Sequence, residues 1–289
     1  MTLGGVVPDW LLSITAAGTL FVLMFDLGIA IVPVEFRWVV QRPALLARAL
    51  FCVLIAVPAL VFVVAHAFGV PRTAQIGMML MAIAPGAPVA LRRSLDAGAH
   101  RAFAPALQIL LALLAIVSMP LWIAGLNHVY AGAASIDPRD LARQVLFAQL
   151  LPLGLGVAAR RLLPVLSMRV EPGLAKVGSA LLTLLLVLAL VDVYQTVIDA
   201  GLRVGTAIVV ATLLALAVGH LMGGPEPTTR TSTAISSAAR NAGLALVVAT
   251  VNKAAPAIIA TVLAYLVLSA FTVIPYAIWR RRMAAPAAT

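Results

Sequence analysis

The sequence predicts an all-α polytopic membrane protein of nine transmembrane helices, built as inverted repeats (spans 1–4 and 6–9) with a broken helix in each half. Three observations carry that expectation. The first is composition: 63% of the 289 residues are hydrophobic, 10% are charged, and the mean hydropathy is +1.10, where a soluble chain would carry about 25% charged residues. The second is that apolar residues fall in long continuous runs and not in period-two alternation. In lipid every backbone polar group must be satisfied internally, so such runs read as helices and not as a barrel. The third is a displacement of 155 residues that lays one interrupted apolar stretch over another.

Each span follows from an apolar run of about 20 residues, the length that a ~30 Å hydrocarbon core requires. The first covers about Trp10–Val32; nothing basic precedes it within Met1–Asp9, so it is expected to be a span and not a cleaved signal. The second covers Pro43–Phe68, with Pro43 suited to a helix start. Thr73–Leu91 is the third, and Ala84-Pro85-Gly86-Ala87-Pro88 at its centre should break it, since two prolines remove two donors and clash with the turn before. Phe103–Leu126 and Leu141–Ala159 are the fourth and fifth. Leu174–Ile198 and Val204–Met222 follow, then the break Gly223-Gly224-Pro225-Glu226-Pro227. Thr231–Asn252 is the eighth span and Pro256–Trp279 the ninth. The whole of 1–289 reads as one transporter domain: repeat one about 10–126, a connecting span about 141–159, and repeat two about 174–282.

Charge placement sets the expected orientation. Threading nine spans puts fourteen Lys or Arg residues in loops on one side and five on the other, leaving Arg240 in neither set. Basic loops stay cytoplasmic, so the N-terminus is expected outside and the C-terminus inside a multi-pass plasma membrane protein, with a bacterial inner membrane the expected setting. The net charge of +10 therefore points to membrane topology and not to nucleic acid. Cys52 is the one cysteine and lies in an apolar run, so neither a disulfide nor a metal cluster is expected.

Under the 155-residue shift, Ala84–Leu91 lies over Ala239–Leu246, Pro120 falls on Pro275, and the second span on the seventh. Five spans separate equivalent helices, an odd number, so the halves should run in opposite directions through the membrane. Inverted repeats with paired helix breaks point to a secondary transporter whose site lies at the midplane, where the breaks meet.

The chemistry available follows from the breaks. Broken helices expose N–H groups at one end and carbonyls at the other. Pro85 and Pro88 free carbonyls, Ala87 lies between them, and Gly86 and Gly243 let backbone or ligand approach. The competing reading is that the prolines only kink a packed helix. Arg240, beside Asn241, is the sharpest residue: a guanidinium at mid-span costs at least ~2.5 kcal/mol and needs a partner or a wet cavity. It reads as an anion clamp or a built-in cation, or else as a structural ion pair. Asp26 and Asp192 are the carboxylates inside spans; one is expected to neutralise Arg240 and the other to be free as a proton-coupling candidate. Gln108 and Ser236 add neutral polar groups, Ser236 one turn before Arg240. Other serines read as packing. No catalytic, nucleotide or metal motif is found, so a carrier and not an enzyme is expected.

These residues resemble the bile acid:sodium symporter family. MFDLGIAIVPVEFRWVVQRPALL is similar to its Gly-containing helix followed by DFRR…RRP; APGAPVA stands where it has PGG-x-x-S-N; SSAARNAGLA stands where it has E-x-G-x-Q-N-S/A-G-L. The resemblance implies a panel bundle, a core bundle with two crossing broken helices, and the nine-helix form. It also implies a sodium ion as the coupling cofactor. The departures argue against that ion: the Ser-Asn pair is Ala90 and Leu91, the Glu and Gln fall on Ser236 and Arg240, and the hydroxyl positions fall mainly on Gln108, Leu111 and Ala112. Pro85, Gly86, Asn241 and Gly243 match.

The expectation is a secondary transporter of a small organic anion working by alternating access in the lipid bilayer. Arg240 would stand in for sodium, with proton coupling or uniport possible. Efflux of an oxyanion or weak acid is one alternative. A non-transporting membrane receptor or structural protein on the same fold is another. The sequence does not specify the solute or the oligomeric state.

Overall fold

The computed structural model describes residues 8–30, 33–130, 136–199 and 201–284. These form helices joined by short turns and breaks, with no strand among the described residues. In chain order the helices are α1 (Asp9–Ile29), α2 (Pro33–Val40), α3 (Pro43–Phe51), α4 (Val57–Ala67), α5 (Arg72–Ile83), α6 (Pro88–Asp96) and α7 (Phe103–Val129). There follow α8 (Pro138–Val145), α9 (Leu151–Leu162), α10 (Pro164–Asp199), α11 (Gly201–Met222), α12 (Pro227–Ala238), α13 (Ala242–Val251) and α14 (Pro256–Ala284). Eight segments are long and apolar enough to cross a membrane, and α5 with α6 makes a ninth if that pair, bent by 67°, is taken as one span.

Several boundaries differ from those expected. The first span stops at Ile29, short of the expected Val32, and a short helix, α2, occupies Pro33–Val40. The sixth begins ten residues early, at Pro164, and runs through Pro172 as one 36-residue helix. Leu163, at ψ 60, is the reason the preceding helix ends there: a residue before proline is pushed out of the α region. The third span continues to Asp96, past the expected Leu91.

Two spans widen into π turns, and each time a proline explains it. Cys52–Ala56 joins α3 to α4 just before Val57-Pro58, and Leu146–Leu150 joins α8 to α9 just before Leu151-Pro152. Because proline lacks an N–H, the preceding turn opens by one residue. The N–H of Val57 reaches back to the Cys52 carbonyl. That leaves Val53 O without a helical donor, since its α partner is diverted and its π partner would be Pro58.

Packing divides the bundle. α1 lies against α9 and α10, and backbones touch where Gly28 meets Gly156: a Cβ on Gly28 would sit 2.2 Å from the Leu153 carbonyl oxygen. The other spans gather around the broken pairs α5/α6 and α12/α13. α11 packs on α12, and α14 on α5 and α11. The methionines at 78, 79 and 81 and the first halves of both broken spans are buried among them.

Candidate functional site

The two breaks touch. The backbone N–H of Asn241 donates to the Ala84 carbonyl at 3.0 Å. Its side-chain Nδ2 donates to Gln149 Oε1 at 2.9 Å and lies 3.4 Å from the Gly86 carbonyl. Asn241 Oδ1 in turn accepts from the Leu244 N–H at 3.1 Å, capping α13. One side chain thus closes its own helix end and ties it to the other break.

Gly86 holds φ +74°, and a Cβ there would lie 2.9 Å from the Ala112 nitrogen of α7. Only glycine meets both demands at low cost. Gln149 is drawn in by the π turn of the fifth span and is fully buried, its Nε2 donating to Ala112 O at 2.9 Å. The crossing is therefore braced by α7, by the fifth span, and by the breaks themselves.

Arg240 is 5% exposed. Its Nη1 donates to Val53 O at 3.0 Å, the carbonyl that Pro58 left without a helical donor. The neighbouring orphan, Leu54 O, accepts from Trp122 Nε1 at 2.8 Å. Arg240 Nε and Nη2 find no acceptor among the described residues. Asp26 is not its counter-ion: Asp26 Oδ2 pairs with Arg92 of α6 instead. The physical reason is depth. Leu20 and Leu23 of α1 reach the crossing, and Asp26 lies one turn further along, level with Arg92. The Asp192 side chain lies outside the described residues.

A cavity of about 50 Å³ opens where the breaks face α1, α10 and α14. Pro88 and Ala87 line it from the first break, and Arg240, Asn241, Ala242 and Gly243 from the second, so the N-terminal ends of α6 and α13 both meet it. Thr19 and Ser269 bring hydroxyls. Helix N-termini and a guanidinium make a site electrically suited to an anion. Pro85, Gly86, Gln108 and Ser236 are absent from its lining. Gln108 Nε2 donates to Ser236 Oγ at 2.7 Å on the opposite face, binding α7 to α12, with Ser237 Oγ 3.3 Å from Cys52 Sγ beside it.

The candidate residues thus separate into a cavity-lining group and a bracing group. Sequence reading missed Gln149, Arg92 and the role of Pro58. The prolines at 58 and 152, inside apolar runs, were the available signal for the first and third. Among the described residues no cluster of three His, Cys, Asp or Glu side chains could hold a metal ion.

Apolar spanning helices, two of them broken and joined at their breaks over a cavity, define a membrane transporter. Residues 17–200 match the family described as the sodium bile acid symporter family, and the chain belongs to it. The match holds the first break and ends before the second. A search of curated proteins found no match.

Proposed function

We propose that this member of the family carries a small organic anion by alternating access between the α1/α9/α10 bundle and the bundle around the crossing, without sodium as the driving ion. The observation that carries the reading is Arg240: a buried guanidinium whose Nη1 donates to Val53 O and whose Nε and Nη2 have no acceptor among the described residues, beside a cavity fed by two helix N-termini. Family members of the sodium-coupled kind need oxygen ligands where Ser236 and Arg240 stand, and a fixed positive charge there repels a cation. Arg240 replaces the ion and supplies its charge permanently.

The inverted repeat supports the same reading. Asn241 contacts Gly86, and 241 − 86 is the 155-residue displacement of the repeat, so equivalent positions meet at the crossing. The arginine-rich helix ends favour a C-terminus on the cytoplasmic side. Asp26, whose Oδ1 has no partner among the described residues while Oδ2 holds Arg92, is the proton-coupling candidate on the moving interface.

The test is uptake of labelled organic anions into proteoliposomes under a sodium gradient, a proton gradient, or neither. Uptake independent of sodium is expected, and Arg240→Gln is expected to abolish it or to make it sodium-dependent. Sodium-driven uptake by the native chain, or unchanged uptake by Arg240→Gln, would remove Arg240 from the mechanism.

A further inference from the structure

The cavity at the crossing is too small for the solute proposed above. It holds about 50 Å³, against the ~300 Å³ at the lower end for small-molecule sites. The described state is therefore narrow at the site, and the question is where a route widens. Two residues of its wall, Arg93 and Val273, also line a second cavity of about 200 Å³ between α6 and α14. That second cavity runs past Ala277 to the exposed side chains of Asp96 and Arg281 at the arginine-rich ends of both helices. Arg93 and Val273 are the partition between the narrow crossing cavity and a wider vestibule.

The two adjacent arginines of α6 have different surroundings. Arg92 is ion-paired with Asp26 of α1, so its charge is neutralised and it links the two bundles. The Arg93 side chain makes no hydrogen bond or ion pair among the described residues, and Arg93 lines both cavities. It stands five residues beyond Pro88, about 7.5 Å along the helix from the break. The vestibule also holds one carboxylate, Asp96, and one further guanidinium, Arg281, so its balance with Arg93 is positive. A cation of this kind raises the local concentration of anions along its path.

We infer that Arg93 is the charge-selecting residue of the passage between the crossing and the arginine-rich face, receiving the anion's negative group as Val273 moves aside. Arg92 is the residue whose pair with Asp26 opens when the bundles part. The inference rests on the proposed anion transport but can be tested without any transported solute. In a Cys52→Ala background, Ser269→Cys places one thiol in the crossing cavity, with Ala270→Cys as a second reporter should the first fail to fold.

Purified protein in detergent is treated with an anionic reagent (sulfonatoethyl methanethiosulfonate) or a cationic one (trimethylammonioethyl methanethiosulfonate), and labelling rates are compared by mass spectrometry. With Arg93 present, the ratio of anionic to cationic rate should exceed that of the Arg93→Gln protein by about tenfold. Arg93→Lys should restore it. A ratio unaffected by Arg93→Gln, or a thiol that neither reagent reaches, overturns the inference. A failed uptake screen with this ratio intact would sink the transport reading and leave the passage standing; the opposite pair of results would sink the passage alone.

Discussion

The two broken helices reach the same crossing by different physical means. The first break is written into the covalent chain: Pro85 and Pro88 withhold donors, Gly86 sits at φ +74°, and the halves bend by 67°. The second contains no proline between Ala238 and Ala242, and its two halves run on as one span, Pro227–Val251. It is opened by side chains: Asn241 caps α13 and Arg240 leaves the helix for a carbonyl on another span. A break set by backbone geometry is rigid and needs no partners. A break set by side chains depends on groups far away in sequence, and can in principle be remade. The first broken span thus supplies a fixed frame, and the second supplies the chemistry.

If that division is right, adding one methyl group to each break should have very unequal effects. At Gly86 a Cβ must accept positive φ and lie 2.9 Å from the Ala112 nitrogen. Strain in that region costs about 1–3 kcal/mol by itself, and backbone overlap adds to it. Gly86→Ala is expected to lose about 3 kcal/mol or more, seen as a collapse of the unfolding temperature in detergent. Gly243 lies in the first turn of α13, and its Cβ would meet Leu20 Cβ at 3.1 Å, with Ala16 O and Asn241 Oδ1 in ordinary contact at 3.5 and 3.6 Å. The helical gain of ~0.5–1 kcal/mol from Gly to Ala offsets that tight contact, so Gly243→Ala should fold normally. Leu20 belongs to α1, so under the proposed alternating access transport by Gly243→Ala should slow while stability holds. Equal stability losses at the two glycines would break the comparison.

The next effect concerns the carbonyl that Arg240 satisfies. Without the guanidinium, Val53 O has no donor, and an orphaned buried acceptor costs about 1–3 kcal/mol. Pro58→Ala restores an N–H in reach of the π turn and removes that dependence. The stability loss of Arg240→Gln should therefore shrink by about 1–2 kcal/mol when Pro58→Ala is also present, measured as a double-mutant cycle of unfolding in detergent. Additive effects would mean that the proline does not create the acceptor that Arg240 serves.

The same contrast governs what could be read from the amino-acid sequence. Helical class, the spans and the first break followed from apolar runs and from Pro85, Gly86 and Pro88, because these act locally. The second break was legible only through the cost of Arg240 and its alignment with the first. Its partners were not legible. Val53 O becomes available through a π turn that no periodicity signals, and Gln149 reaches the crossing from a span with no counterpart in the repeat. Asp26 or Asp192 was expected as a partner for Arg240 because all three are charged and inside spans. A pairing, however, depends on depth and facing, and Arg92, placed among loop arginines by its basic neighbours, proved to lie level with Asp26.

The loops that follow the two breaks offer the finest test of a fixed first half. After α6 the chain turns at His100, whose Nδ1 accepts from the N–H groups of Ala102 and Phe103, each at 3.2 Å, and so starts α7. The corresponding position after the second break is Ala255, which has no side chain to cap with. Burial holds His100 below its ordinary value; Glu226 opposes that and Arg42 adds to it. The ring also stacks at 4.0 Å on Trp38. The cap needs a neutral imidazole, because a proton on Nδ1 turns the acceptor into a donor. A value lowered by folding gives stability that is fully present above the unfolded value of about 6.5 and is lost as pH falls through the lowered folded value. Unfolding temperatures from pH 8 down to pH 5 should then fall more steeply for the native chain than for His100→Asn, whose amide caps without titrating. The difference should stay within about 1 kcal/mol, the size of one helix cap. Parallel pH profiles would show that the turn after the first break is held by the Trp38 stack and not by the imidazole acceptor.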